Sequence, residues 1–170
     1  MLDKQVVKLL NEQVTKEFYS AYLYLDISNY YTNKNLNGFG NWFKVQTQEE
    51  RDHAMLFVTY LLNNDQEVVF GDITAPVGKY QDFKAPLDLS YTHEQSVTAS
   101  IYNIYEAASA VRDFRTMQFL DWFVKEQGEE EKNSKDLIDR YELFGYDSKS
   151  LYMLDSELGT RIYAPPTLVL

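Results

Sequence analysis

The sequence predicts an all-α fold: an antiparallel four-helix bundle with one long crossover connection and a short fifth helix at the C-terminus. Three observations lead there. Apolar residues recur at helical spacing in four long stretches of the 170 residues. Only one connection between them, about residues 65–85, is long. The two halves also repeat: Glu17, Glu49, Glu50, Asp52 and His53 return 77 positions later as Glu94, Glu126, Gln127, Glu129 and Glu130. A helix hairpin used twice, with a crossover between the copies, accounts for all three.

The first helix is expected over about 3–33, with Asp3 as its N-cap. Asn33-Lys-Asn-Leu-Asn37 breaks the pattern, and a second helix runs from 37 to 64, stopping at Asn63-Asn-Asp65. The connection that follows holds Gly71, Pro76 and Gly78, with Val68-Val69-Phe70 extended. Pro86 suits the first turn of a third helix, 86–113, because its missing N–H is not needed there. A fourth helix covers 115–144 with Gly145 as its stop, and a fifth covers 148–158 before Gly159. Arg161 to Leu170 is apolar, carries Pro165 and Pro166, and is expected to be irregular. Short loops make the first and second helices, and the third and fourth, antiparallel pairs of roughly 40–45 Å each. Residues 1–170 read as a single domain.

Composition narrows the function. A net charge of -10 and a pI near 4.6 argue against nucleic acid, whose phosphates attract basic faces. There is no cysteine, so neither disulfides nor thiolate metal ligation are open. No apolar run approaches a membrane helix and Met1 to Leu10 lacks the pattern of a signal peptide, so a cytoplasmic location without membrane attachment is expected.

Angular position places the carboxylates inside. At 100° per residue, Phe39, Phe43, Phe57 and Leu61 fall within about 20° of Glu50, and His53 about 60° away. Val6, Leu10 and Tyr24 do the same for Glu17, and Leu87, Ile101 and Tyr105 for Glu94. Leu120 and Ile138 flank Gln127, with Glu130 nearby. Each helix therefore buries an acid or amide at one level of the bundle. Four buried carboxylates cost several kcal/mol each unless neutralised, and two divalent cations balance them. Oxygen-rich donors with one imidazole suit iron or manganese better than zinc in a structural site. Glu49, Glu126 and Glu129 sit beside the inner stripe, where a solvated acidic flank explains them equally well. Tyr24 by position alone reads as a core aromatic, and His93, which has no mate in the repeat, as a surface residue. Trp42 and Tyr60 lie about 80° off the stripe and are expected on an outer, subunit-contacting face.

These residues resemble a known family, the non-haem bacterial ferritins. The likeness runs from Asn11-Glu-Gln13, Glu17 and Tyr24 through Gln48-Glu-Glu-Arg-Asp-His53, His93-Glu-Gln95 and Glu126-Gln-Gly-Glu-Glu-Glu131 to the fifth helix. It implies a diiron ferroxidase centre in which Glu17 and His53 hold one iron, Glu94 and Glu130 the other, and Glu50 bridges. Gln127 would hydrogen-bond to the centre, Tyr24 would be the tyrosine beside it, and Glu49, Glu126 and Glu129 would form a third iron site. Arg51 stands where haem-binding relatives place a methionine, and Gln127-x-x-Glu130 replaces their second Glu-x-x-His, so no haem is expected. The resemblance implies iron storage: Fe(II) oxidised by O2 or H2O2 and kept as a mineral inside a homo-oligomeric, 24-subunit shell. A diiron peroxidase or oxygenase that stores no mineral is the alternative, and a metal-free structural bundle the second.

Overall fold

Each of the five expected helices forms, and capping chemistry sets their ends: α1 Lys4–Asn33, α2 Asn37–Asn63, α3 Ala85–Ala110, α4 Phe114–Phe144 and α5 Ser148–Leu158. The structure, a computed structural model, describes residues 2–76 and 78–170. Asp3 caps α1 by accepting from the Gln5 amide at 2.8 Å. Asp113 and Asp147 do the same for α4 and α5 through Thr116 and Ser150.

The first three helices end alike. Asn35, Asp65 and Arg112 adopt left-handed φ of 60°, 56° and 57°. The residue after each then returns its amide to the last turn, Leu36 to Tyr31 O, Gln66 to Leu61 O and Asp113 to Ala108 O. This corrects the expected end of α3. The helix stops at Ala110 because Arg112 turns the chain, which frees Asp113 to cap α4.

α1 is antiparallel to α3, since Gln13 meets Ser100 while Ser20 meets His93. α2 and α3 therefore run in the same direction, and the connection between them must travel the length of the bundle. It climbs α1 by successive hydrogen bonds: Val69 N to Asn11 Oδ1, Gly71 N to Thr15 Oγ1, Tyr80 OH to Asp26, and Tyr31 OH to Phe83 O.

α5 docks on the start of α2. Asp155 Oδ1 accepts from the Phe39 amide at 2.9 Å, a cap supplied from 116 residues away because Leu36 offers no side-chain cap. Gly38 permits this approach, since a Cβ there would lie 1.6 Å from Asp155 O. Leu154 and Leu158 enter the same core cluster as Trp42. Trp42 and Tyr60 are consequently buried, at 9% and 4% exposure, not presented outward as their angles suggested. Trp42 is covered by α5 and the Arg161 guanidinium, whose carbon lies 4.3 Å from the ring centre. Tyr60 stacks on Phe119 at 4.0 Å and shares a hydrogen bond with Thr116.

The core is split in two. One apolar cluster joins Val6, Leu10 and Val14 to Phe57, Leu61, Ile101, Ile104, Phe119 and Phe123. The other joins Leu23, Tyr24, Ile27 and Tyr31 to Phe39, Phe43, Leu87, Ile138 and Tyr141. A polar layer separates them.

Candidate metal centre

Each long helix contributes to that layer at mid-length. Glu17 comes from α1, Glu50 and His53 from α2, Glu94 from α3, and Gln127 and Glu130 from α4; none is more than 4% exposed. The i, i+3 spacing puts Glu50 and His53 on one face of α2. Glu17, Glu50 and His53 each present a donor atom within 4.8 Å of the other two. Glu94 is held differently: Tyr24 OH donates to its Oε1, and Gln127 Nε2 donates to its Oε2 at 3.1 Å. Glu130 is buried beside Glu94 with its Oε2 unpartnered.

Burial dominates the electrostatics. Loss of hydration pushes the Glu17 and Glu94 carboxyls from 4.5 up to about 8, with Glu50 adding like-charge repulsion to both. Glu50 and Glu130 are driven up by the same burial, Glu130 repelling the former and Glu94 the latter. Burial also raises the Tyr24 phenol well above its usual range, reinforced by Glu94. Without a counter-charge, the layer is held neutral largely by protons.

Three glutamine amides hold the carboxylates in place. Gln13 Nε2 donates to Glu17 Oε1 at 2.8 Å, Gln46 Nε2 to Glu50 Oε1 at 3.1 Å, and Gln127 to Glu94. Gln13 and Gln46 each stand one turn before the glutamate they serve, a Gln-x-x-x-Glu spacing that could have revealed them in the sequence. Two carboxylate oxygens, Glu17 Oε2 and Glu130 Oε2, are buried with no hydrogen-bond partner. Orphaned oxygens facing a group of oxygen and imidazole donors suit a hard or borderline divalent cation.

The outer acids are less alike. Glu49 is half-buried and pairs with Arg161 at 2.5 Å; burial raises its pKa while Arg161 opposes the shift. Glu126 is half-buried, and Glu129 is exposed and paired with Lys125 at 3.4 Å. His93 is half-buried, not fully exposed, and lines a groove with Thr15, Lys16 and Tyr19. Ser20 Oγ lies 2.8 Å from its Nε2, Tyr19 and Tyr24 pack edge-on against it, and burial lowers its pKa to about 4. Tyr105 is only partly buried at the core margin, because the buried stripe of α3 runs through Leu87, Ser90, Glu94, Val97, Ile101, Ile104 and Ala108 and passes it by.

No described helix is long and apolar enough to cross a membrane. Comparison with known proteins gives a consistent picture. A family profile for the ferritin-like domain matches residues 7–144. The chain is similar to a bacterial non-heme ferritin of Campylobacter jejuni, 40% identical over 158 residues that cover 91% of this chain and 93% of the relative. It is 35% identical to a probable bacterial non-heme ferritin-like protein of Haemophilus influenzae, covering 94% and 96%. Among solved structures, the open-pore ferritin of the archaeon Archaeoglobus fulgidus superposes with a TM-score of 0.93 at 37% identity, covering 95% of this chain and 98% of that one.

Proposed function

Because this chain belongs to the ferritin family, we propose that it is an iron-storage protein that oxidises Fe(II) within each subunit and keeps Fe(III) in a shell built of its own copies. The observation that carries the reading is the buried layer itself. Four glutamates with raised pKa values, one histidine and two unpartnered carboxylate oxygens form a costly arrangement that cations would relieve.

In this reading iron is the substrate. Glu17 and His53 take one Fe(II), Glu94 and Glu130 take the second, and Glu50 lies between them. Binding displaces the carboxyl protons, so four negative charges meet four positive ones. Each Fe(II) gives up one electron; O2 accepts the pair with two protons and leaves as hydrogen peroxide, or hydrogen peroxide accepts the pair with two protons and leaves as two waters. Gln13, Gln46 and Gln127 keep the carboxylates aimed as charge changes. Tyr24, hydrogen-bonded to Glu94 and walled in by Phe43 and His93, is the group placed to exchange a proton or an electron with the second half of the centre. Glu49, Glu126 and Glu129 offer a third iron site on the α2–α4 face.

The shell is proposed as the family's 24-subunit cage in the cytoplasm, a particle of about 480 kDa from chains of 19.9 kDa. At -10 per chain it carries on the order of -240, a field that draws Fe(II) inward. Aerobic Fe(II) loading followed by sizing and iron analysis tests this. Hundreds of irons per particle are expected; a monomer or dimer that turns over Fe(II) and retains two per chain would favour the diiron peroxidase or oxygenase instead.

A further inference from the structure

Past α5 the chain does not leave the bundle. Asn41 Nδ2 donates to Arg161 O at 3.0 Å, Tyr163 OH donates to Asp52, Trp122 Nε1 donates to Thr167 Oγ1 at 3.1 Å, and Leu168 packs on the first core cluster. Asp52 neighbours the ligand His53 on α2, and Trp122 of α4 packs edge-on against the His53 ring at 5.5 Å. The tail therefore crosses from α2 to α4 over the metal layer. Pro165 and Pro166 favour an extended path that needs no backbone donor from them.

Arg161 is the anchor. Its Nη1 donates to Gln46 Oε1 at 2.9 Å and Trp42 O at 3.3 Å, its Nη2 pairs with Glu49 at 2.5 Å, and its plane lies over Trp42. Two consequences follow from hydrogen-bond polarity and charge. With its carbonyl engaged by Arg161, the Gln46 amide has only its NH2 end to offer Glu50. A flipped amide would set one lone pair against another. Glu49, in turn, already has a cation, so a metal ion seeking it must displace a guanidinium held at four points.

We propose that residues 161–168 are a strap over the α2–α4 face of the metal layer, and that Arg161 is its positioning residue. It aims Gln46 at Glu50 and occupies Glu49 in place of a third cation. With the strap docked the subunit takes two ions; with it lifted, Glu49 joins Glu126 and Glu129 and a third ion binds. The proposal rests on the two-ion reading above.

The test is anaerobic Co(II) binding to the full-length assembled protein, by equilibrium dialysis and visible absorption. The unmodified chain should saturate at two Co(II), with a third binding only weakly. Arg161→Ala should tighten the third by roughly tenfold and shift the absorption of the first two as Gln46 is released. Adding Glu49→Gln to it should remove the third ion. Arg161→Lys, which keeps a cation at Glu49, should restore the weak third site. Tyr163→Phe with Thr167→Ala, which loosens the strap and leaves the half-buried Arg161 guanidinium in place, should move in the same direction by less. Unchanged third-ion affinity and absorption in Arg161→Ala, or in the Tyr163/Thr167 pair if the former fails to assemble, would overturn the strap alone. Fewer than two ions on the unmodified chain would overturn the metal centre and the strap with it.

Discussion

In the hairpin of α1 and α2, Glu17, Glu50 and His53 already bring three donor atoms within 4.8 Å of one another. In the hairpin of α3 and α4, Glu94 is tied up by Tyr24 and Gln127, and Glu130 keeps an unpartnered oxygen. The positions correspond at the constant offset of 77, yet the second copy has an amide, Gln127, where the first has the Glu50 carboxylate, and a carboxylate, Glu130, where it has the His53 imidazole. Repetition of spacing thus preserves the level at which side chains meet while the chemistry at each point diverges. In the proposed centre, two unequal halves would bind their ions with different strength, and Tyr24 would serve only one of them, through Glu94.

The strongest way to break this comparison is to remove the residue proposed to serve both halves. Glu50→Ala should cut fast Fe(II) oxidation by on the order of 100-fold or more in stopped-flow traces while far-UV dichroism stays near wild type. Apo stability should hold or rise, because a buried carboxyl repelled by its neighbours is gone. Next, the halves should separate: His53→Ala and Glu130→Ala should each retain one tight divalent ion per chain, read by calorimetry. Two ions retained in either would mean that the assigned ligand is not one.

The pH dependence sharpens the same contrast. Raised carboxyl pKa values stabilise the apo fold fully below about 4.5, and that contribution is lost as pH rises through about 8. Apo Tm should fall by about 5 °C or more between pH 6 and 9, while the ion-loaded protein should not show this loss. A flat apo profile would mean the layer is solvated. Smaller again is Tyr24→Phe, which should keep both ions but slow oxidation by about tenfold, since only the hydroxyl on Glu94 is lost.

Much of this was readable before any coordinates. The helix ends at Asp3, Asn33–Asn37 and Asp65 follow from local capping and turn chemistry, and the level of the buried polar layer follows from period and repeat. Single-helix angles failed at Trp42 and Tyr60 because each bundle helix packs on more than one neighbour, and α5, Arg161 and Phe119 widen the buried arc beyond one stripe. His93 is half-buried for the same reason, since Tyr19, Ser20 and Tyr24 of α1 pack against it. Gln13 and Gln46 carried a spacing signal. Arg161 carried none, for its contacts with residues 42, 46 and 49 exist only once the tail has turned back on α2.

The most direct measurement is an anaerobic Fe(II) titration of the assembled protein at pH 7, following bound iron and released protons together. The two-metal centre predicts saturation at two Fe(II) per chain with proton release, because the cations replace carboxyl protons in a buried layer. Weak, unsaturating uptake with no protons released would place iron on the acidic surface and contradict it.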